Sequence, residues 1–192
     1  EKVNMLHRGD RMRLLLDSTY LMLTQADASE VQPQSSTNII WSLATMRLVH
    51  RPLVQILSLL TISSMALFKP FELSTSLWAL AKLGSIEEPS LSMEDKSVFY
   101  AAVPFIRQSV NSYGFRCLAT IAWAFATARQ RQAKLYQSIS AAMKPIVKTA
   151  QCQEIANTIW AFGTMDFHDD ELFAVLAEQA MTMMDKIKPQ EL

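Results

Sequence analysis

The sequence predicts an all-α fold: a right-handed α-solenoid of stacked helix-turn-helix repeats, of the armadillo, HEAT or TPR kind. Three observations predict it. A tryptophan motif returns four times, as Ile40-Trp41-Ser42-Leu43-Ala44-Thr45, Leu77-Trp78-Ala79-Leu80-Ala81-Lys82, Ala122-Trp123-Ala124-Phe125-Ala126-Thr127 and Ile159-Trp160-Ala161-Phe162-Gly163-Thr164, and it holds all four Trp residues of the chain. Trp41 to Trp78 spans 37 residues, Trp78 to Trp123 spans 45, and Trp123 to Trp160 spans 37 again. A fixed period of roughly 20–50 residues marks an array of stacked units. Apolar residues recur at helical spacing and no strand alternation persists anywhere. The composition agrees, being 50% hydrophobic with only 4 Gly in 192 residues.

Taken in order, residues 1–33 hold a partial or capping unit with one helix around Met12 to Leu23. Residues 34–70, 71–115, 116–152 and 153–189 are four units, and 190–192 start a further one. All belong to one domain, expected to be a fragment of a longer array; the chain opens on Glu1 and no secretory signal stands there. Each unit begins with a helix A. Eight residues before the Trp stands Pro33 in the first copy and Pro70 in the second, with Phe115 (after Gly114) and Cys152 in the others, and Pro189 at the matching place of a fifth. Proline suits the first turn of a helix, where its missing N–H costs nothing.

Helix B follows. Its apolar residues fall 12, 13, 16 and often 20 positions after the Trp: Leu53, Val54 and Leu57, then Leu135, Tyr136, Ile139 and Met143, then Leu172, Phe173, Leu176 and Ala180. The second unit carries 8 extra residues, placed in the turn-rich stretch Gly84 to Ser90, and allowing for them it gives Val98, Phe99, Ala102 and Ile106. Such spacing is one face of an amphipathic helix. Ser92-Met93-Glu94-Asp95 reads as a capping box for the second B helix. Pro104 and Pro145 lie inside two B helices and should kink or break them.

Helix A divides into faces at about 100° per residue. Numbering from the Trp, positions −5, −1 and +2 should be core: Leu73, Leu77 and Leu80 in one unit, Ile155, Ile159 and Phe162 in another. Position +3 is always small: Ala44, Ala81, Ala126 or Gly163. Position −3 carries Asn38, Thr75, Thr120 and Asn157, and position +4 carries Thr45, Lys82, Thr127 and Thr164. These eight form a polar stripe repeated once per unit, a candidate binding ladder, since Asn and Thr are short donors and acceptors that can read a base edge. The alternative is that they face solvent or bridge to the next unit. The Trp residues, at the border of core and stripe, are assigned to packing between units, with base stacking as the other reading.

The strings Leu73-Ser74-Thr75-Ser76-Leu77-Trp78-Ala79-Leu80-Ala81-Lys82-Leu83-Gly84 and Ile155-Ala156-Asn157-Thr158-Ile159-Trp160-Ala161-Phe162-Gly163 resemble octotricopeptide repeats. Those are helix-pair repeats of roughly 38 residues in organellar RNA-binding proteins. They are related to heptatricopeptide arrays, to RAP-domain and FAST-kinase-like proteins, and to repeat subunits of mitochondrial RNA-editing complexes. The resemblance covers about residues 34–192; it departs in the 45-residue unit and in the lack of a Pro-Pro-Pro-Glu-Trp-like string. It implies sequence-selective binding of single-stranded RNA in a mitochondrion or chloroplast, for processing, stability, splicing, editing or translation. It implies organellar RNA as the partner, together with other RNA-processing proteins.

No catalytic chemistry stands out, so the chain is not expected to be an enzyme, to carry a cofactor or metal, or to take a small-molecule substrate. His7, His50 and His168 are far apart, and Cys117 and Cys152 have no zinc spacing. The acidic run Asp166 to Glu171 sits where a B helix should start, so capping explains it. The uncharged run Pro52 to Phe68 is too short for a membrane span of about 20 residues. Arg129-Gln130-Arg131-Gln132-Ala133-Lys134, and Arg8, Arg11 and Arg13, are short basic stretches that read as solvated turns or phosphate contacts. A formal charge of +0 and 11 Met residues point to the competing class, a protein-interaction scaffold that does not touch RNA.

Overall fold

A computed structural model describes residues 2–84 and 93–184, and among these every regular element is a helix. The A helices are α2 (Pro33–Met46), α4 (Pro70–Gly84), α6 (Phe115–Thr127) and α8 (Cys152–Thr164). All four begin eight residues before their Trp, the place the sequence marks with Pro33 and Pro70. The B helices are α3 (Arg51–Ser63), α5 (Met93–Gln108), α7 (Ala133–Met143) and α9 (Asp170–Met184). The first helix, α1 (Lys2–Gln25), is longer than its expected core of Met12 to Leu23. It docks on α3 through Leu16, Tyr20 and Leu23, one helical stripe.

The helices pack in two rows. In one, α2, α4, α6 and α8 each lie against the next; in the other, α1, α3, α5, α7 and α9 do the same, and each A helix also touches its own B helix. The expected B-helix positions are buried: Leu53, Val54 and Leu57, then Val98, Phe99, Ala102 and Ile106, then Leu135, Tyr136, Ile139 and Met143, then Leu172 and Leu176, with Phe173 and Ala180 partly so. Aromatic pairs lock one unit to the next. Phe99 of α5 meets Phe125 of α6 edge-on at 5.1 Å, and Tyr136 of α7 meets Phe162 of α8 in the same way at 5.1 Å. These are equivalent positions, +13 of one unit against +2 of the next once the insertion is allowed for. The Tyr136 hydroxyl donates to the Ala122 carbonyl at 2.8 Å, so its polar end is satisfied inside the core.

Local devices recur with the same phase. Glu72 and Glu154, both six before the Trp, accept the N-cap backbone N–H of Lys69 and Gln151 at 2.9 and 3.0 Å. Helices α2, α6 and α8 end in one motif. The residue at +6 (Arg47, Arg129 or Asp166) has φ of 55°, and the next N–H reaches back to the +2 carbonyl. Those bonds, Leu48 to Leu43, Gln130 to Phe125 and Phe167 to Phe162, are 2.9, 2.9 and 3.0 Å, a Schellman closure. In the second unit α4 is described as far as Gly84, the +6 position itself. Of the stretch Gly84 to Ser90 that holds the insertion, residues 85–90 lie outside the described residues, as do Ser92 of the expected capping box, Pro189 and residues 190–192.

Pro145 ends α7, and the chain continues as a 3₁₀ turn, Lys144–Thr149. Pro104 instead sits within α5, which runs on to Gln108. Asp169 starts α9 as expected of the acidic run: its Oδ1 accepts the Leu172 N–H at 3.0 Å and its Oδ2 accepts from the Ser140 hydroxyl at 2.5 Å. His50 plays the same part for α3, its Nδ1 accepting from Leu53 while Nε2–H donates to Asp17 of α1 at 3.0 Å. One core assignment needs correction. Ile159 is 46% exposed, whereas its equivalents Ile40, Leu77 and Ala122 are at most 1%. Each of those is covered by the next A helix, and α8 is the last of its row among the described residues.

Candidate functional site

The A row presents one continuous face built from positions −7, −4, −3 and 0, which lie within one side of a helix at i, i+3, i+4 and i+7. Stacking α2, α4, α6 and α8 turns that face into a groove of about 460 Å³. Its walls include Trp41, Trp78 and Trp123 at position 0, Thr75, Thr120 and Asn157 at −3, and Phe71, Arg116 and Gln153 at −7.

The tryptophans form a row. Trp78 and Trp123 have ring centroids 6.5 Å apart, Trp123 and Trp160 have them 6.1 Å apart, and both pairs are tilted by 34°. Trp41 and Trp160 at the two ends are each 47% exposed, and the inner two are half-buried. Trp78, Trp123 and Trp160 thus touch ring to ring between units, and Trp41, Trp78 and Trp123 also line an open groove. An aromatic ring inserted between two others needs about 7 Å, twice the ~3.5 Å carbon contact distance. The observed spacings are shorter and tilted, so no planar ring fits between its members, and only the exposed side of the row is open. Lys82 sits one turn beyond, with Nζ 4.9 Å from the Trp78 ring centroid, a cation–π contact.

Three of the four −3 residues come together here, and Asn38 does not: it is exposed on α2, outside the groove lining. The +4 residues also lie outside the lining. Thr45 and Thr164 are exposed, Lys82 covers Trp78, and the Thr127 hydroxyl is buried with no hydrogen-bond partner among the described residues. The Thr120 hydroxyl donates to the Arg116 carbonyl at 2.8 Å, leaving only its lone pairs for a ligand. The side-chain amides of Gln153 and Asn157 form no hydrogen bond within the described residues, although both line the groove.

Arg116 and Glu154 are the charged residues of the lining, and Glu154 is already engaged as the cap of α8. The groove is thus aromatic and amide-rich with little net charge. The expected basic stretches lie elsewhere: Arg129 and Arg131 are exposed in the α6–α7 turn, and Arg8, Arg11 and Arg13 belong to α1 in the other row. The sequence alone does not mark the −7 residues. Their types differ from unit to unit (Gln34, Phe71, Arg116, Gln153), so no motif flags them; only the helical phase to −3 and the Trp does.

No protein-family model matches this chain, and no curated protein matches it. Among the described residues no helix is long and apolar enough to cross a membrane, and no group of His, Cys, Asp and Glu is placed to hold a metal ion.

Proposed function

We propose that this chain is a stretch of a right-handed α-solenoid that binds single-stranded RNA along the A-helix row, as a part of organellar RNA metabolism. The carrying observation is the row of Trp78, Trp123 and Trp160, with the −3 residues Thr75, Thr120 and Asn157 beside it in phase. Every base has a π-face, so an aromatic row takes up an unpaired strand whatever its sequence. The short polar side chains then meet base edges, one unit to one base. Ring spacings of 6.1 and 6.5 Å are shorter than the ~8–10 Å between packed helix axes. That difference favours the A row as the inner side of a curved array, where repeat proteins receive extended ligands. The mitochondrial or chloroplast setting rests on the resemblance to octotricopeptide repeats. The role is passive: an occupied strand is masked from nucleases or held for another protein.

Binding should be carried by stacking more than by phosphate contact. The groove lining carries Arg116 and Glu154 and so little net charge, and about one phosphate at most is neutralised. The log–log slope of affinity against salt should then be no steeper than about −0.7. The decisive test is fluorescence anisotropy of labelled single-stranded RNA with the chain and with Trp123→Ala. The substitution should weaken binding roughly 5- to 150-fold, as expected for loss of about 1–3 kcal/mol of base stacking. Quenching of the tryptophan emission by RNA gives an independent readout. If neither RNA binding nor quenching is seen with a chain of unchanged helicity, the RNA reading fails.

The scaffold reading draws on the exposed apolar side chains of the last helices among the described residues: Ile159 of α8, and Met181 and Met184 of α9. A patch of that kind takes another protein or a further repeat, and recovery of a protein partner in the absence of RNA binding would select it.

A further inference from the structure

Resting on the RNA reading, we infer that positions −7 and −3 of one unit read a single base together, that the unit of α6 selects guanine through Arg116 and Thr120, and that the unit of α8 selects adenine through Gln153 and Asn157. The two positions are four residues apart on one helix, so their side chains are neighbours. Both line the same groove, one and two turns before the Trp of their own helix; Trp123 lines it too, and Trp160, 47% exposed, adjoins it through its ring contact with Trp123 at 6.1 Å. A base lying against the exposed side of Trp123 or Trp160 would then direct its edge along the helix toward −3 and −7.

The chemistry of the two pairs differs. In guanine, N7, O6 and N1–H follow one another along the edge as acceptor, acceptor and donor. The guanidinium fork of Arg116 donates to N7 and O6 together, the commonest specific contact of arginine with a base. The Thr120 hydroxyl has given its proton to the Arg116 carbonyl at 2.8 Å, so it is left to accept, which suits N1–H. Adenine would place its amino group against the guanidinium, donor against donor. In the α8 unit two side-chain amides stand together with no partner among the described residues. An Asn or Gln amide pairs in bidentate fashion with adenine N6–H and N7, and the second amide is left for N1. The α4 unit offers Phe71 and Thr75, which stack and fill space but carry no comparable edge code. The preferred ligand therefore has an adjacent guanine and adenine, with a tolerant third position on the Trp78 side.

The test uses the whole chain and a set of oligouridine hosts in which two neighbouring central positions are varied through all base combinations, read by anisotropy. One ordering of guanine next to adenine should bind roughly tenfold tighter than the all-uridine host. Arg116→Ala should remove the guanine preference and keep the adenine preference. The double substitution Gln153→Ala with Asn157→Ala should do the reverse. These residues are exposed or half-buried, so circular dichroism should stay unchanged. Equal binding of all hosts would overturn the inference while leaving the RNA reading in place. So would an Arg116→Ala variant that binds every host more weakly by one common factor, since that marks a phosphate contact. Failure of every host to bind would remove the RNA reading, and this inference with it.

Discussion

At Arg47, Arg129 and Asp166 the backbone is left-handed, with φ of 55°, in a position where glycine is the usual occupant. The conformation costs an L-residue roughly 1–2 kcal/mol. It is held by the Schellman bonds that follow, and the fold tolerates the same strain three times over. Arg47 and Arg129 are exposed, so truncating their side chains removes little packing. Glycine there loses some 0.5–1 kcal/mol through the greater freedom of the unfolded chain, leaving a net gain. Arg47→Gly and Arg129→Gly should each stabilise the chain by about 0.5–1 kcal/mol, seen as a raised urea midpoint at unchanged slope. An unchanged or lowered midpoint would mean that the left-handed turn is not strained by its side chain. Trp78 and Trp123 show a different combination, since each side chain both packs between units and lines an open groove.

At the scale of the element, the N-terminus of α9 concentrates the chain's electrostatics. Burial pushes the Asp169 carboxyl up, but hydrogen bonds from Ser140 and the Leu172 N–H, together with Lys144, outweigh it and hold it below its ordinary 3.8. A carboxyl whose native pKa is depressed stabilises the fold above its unfolded pKa, and that contribution is lost as pH falls through the native value. Asp169→Asn keeps a capping side chain but cannot titrate. The variant should be less stable near neutral pH by about 0.5–2 kcal/mol, and the gap to the parent should close as pH drops below about 4. A gap that stays constant in urea titrations from neutral to acid pH would show that the charge of Asp169 contributes nothing. Much at this scale was legible in the sequence: four helix starts eight before the Trp, four B-helix faces, and the acidic cap. Each follows from a local rule that the repeat states several times. What was not legible is where residue type and role part company. The −7 residues share a place in the groove but no chemistry, the +6 exits use Arg and Asp where glycine would announce them, and +4 resembles −3 in composition yet lies outside the groove.

At the scale of the molecule, the two-row architecture makes stability a matter of neighbours, because among the described residues each unit touches chiefly the units before and after it. The same repeat position should then cost different amounts along the chain. Ile40 and Ile159 both stand one residue before a motif Trp, but among the described residues only Ile40 has a further A helix in front of it: Ile40 is 1% exposed against α4, and Ile159 is 46% exposed on α8. Ile40→Ala removes a fully buried side chain and opens a cavity, which should destabilise by about 2–5 kcal/mol. Ile159→Ala gives up only part of a side chain's burial and leaves no enclosed void, which should cost about 1 kcal/mol or less. Urea unfolding followed by far-ultraviolet circular dichroism compares the two directly. Hydrogen exchange should place the weakening of Ile40→Ala in α2 and α4 and leave α8 as in the parent. If Ile159→Ala proves as costly as Ile40→Ala, the outer face of α8 is covered in solution. Loss of that difference on dilution would then identify the cover as a second copy of the chain, since only an intermolecular contact weakens with concentration.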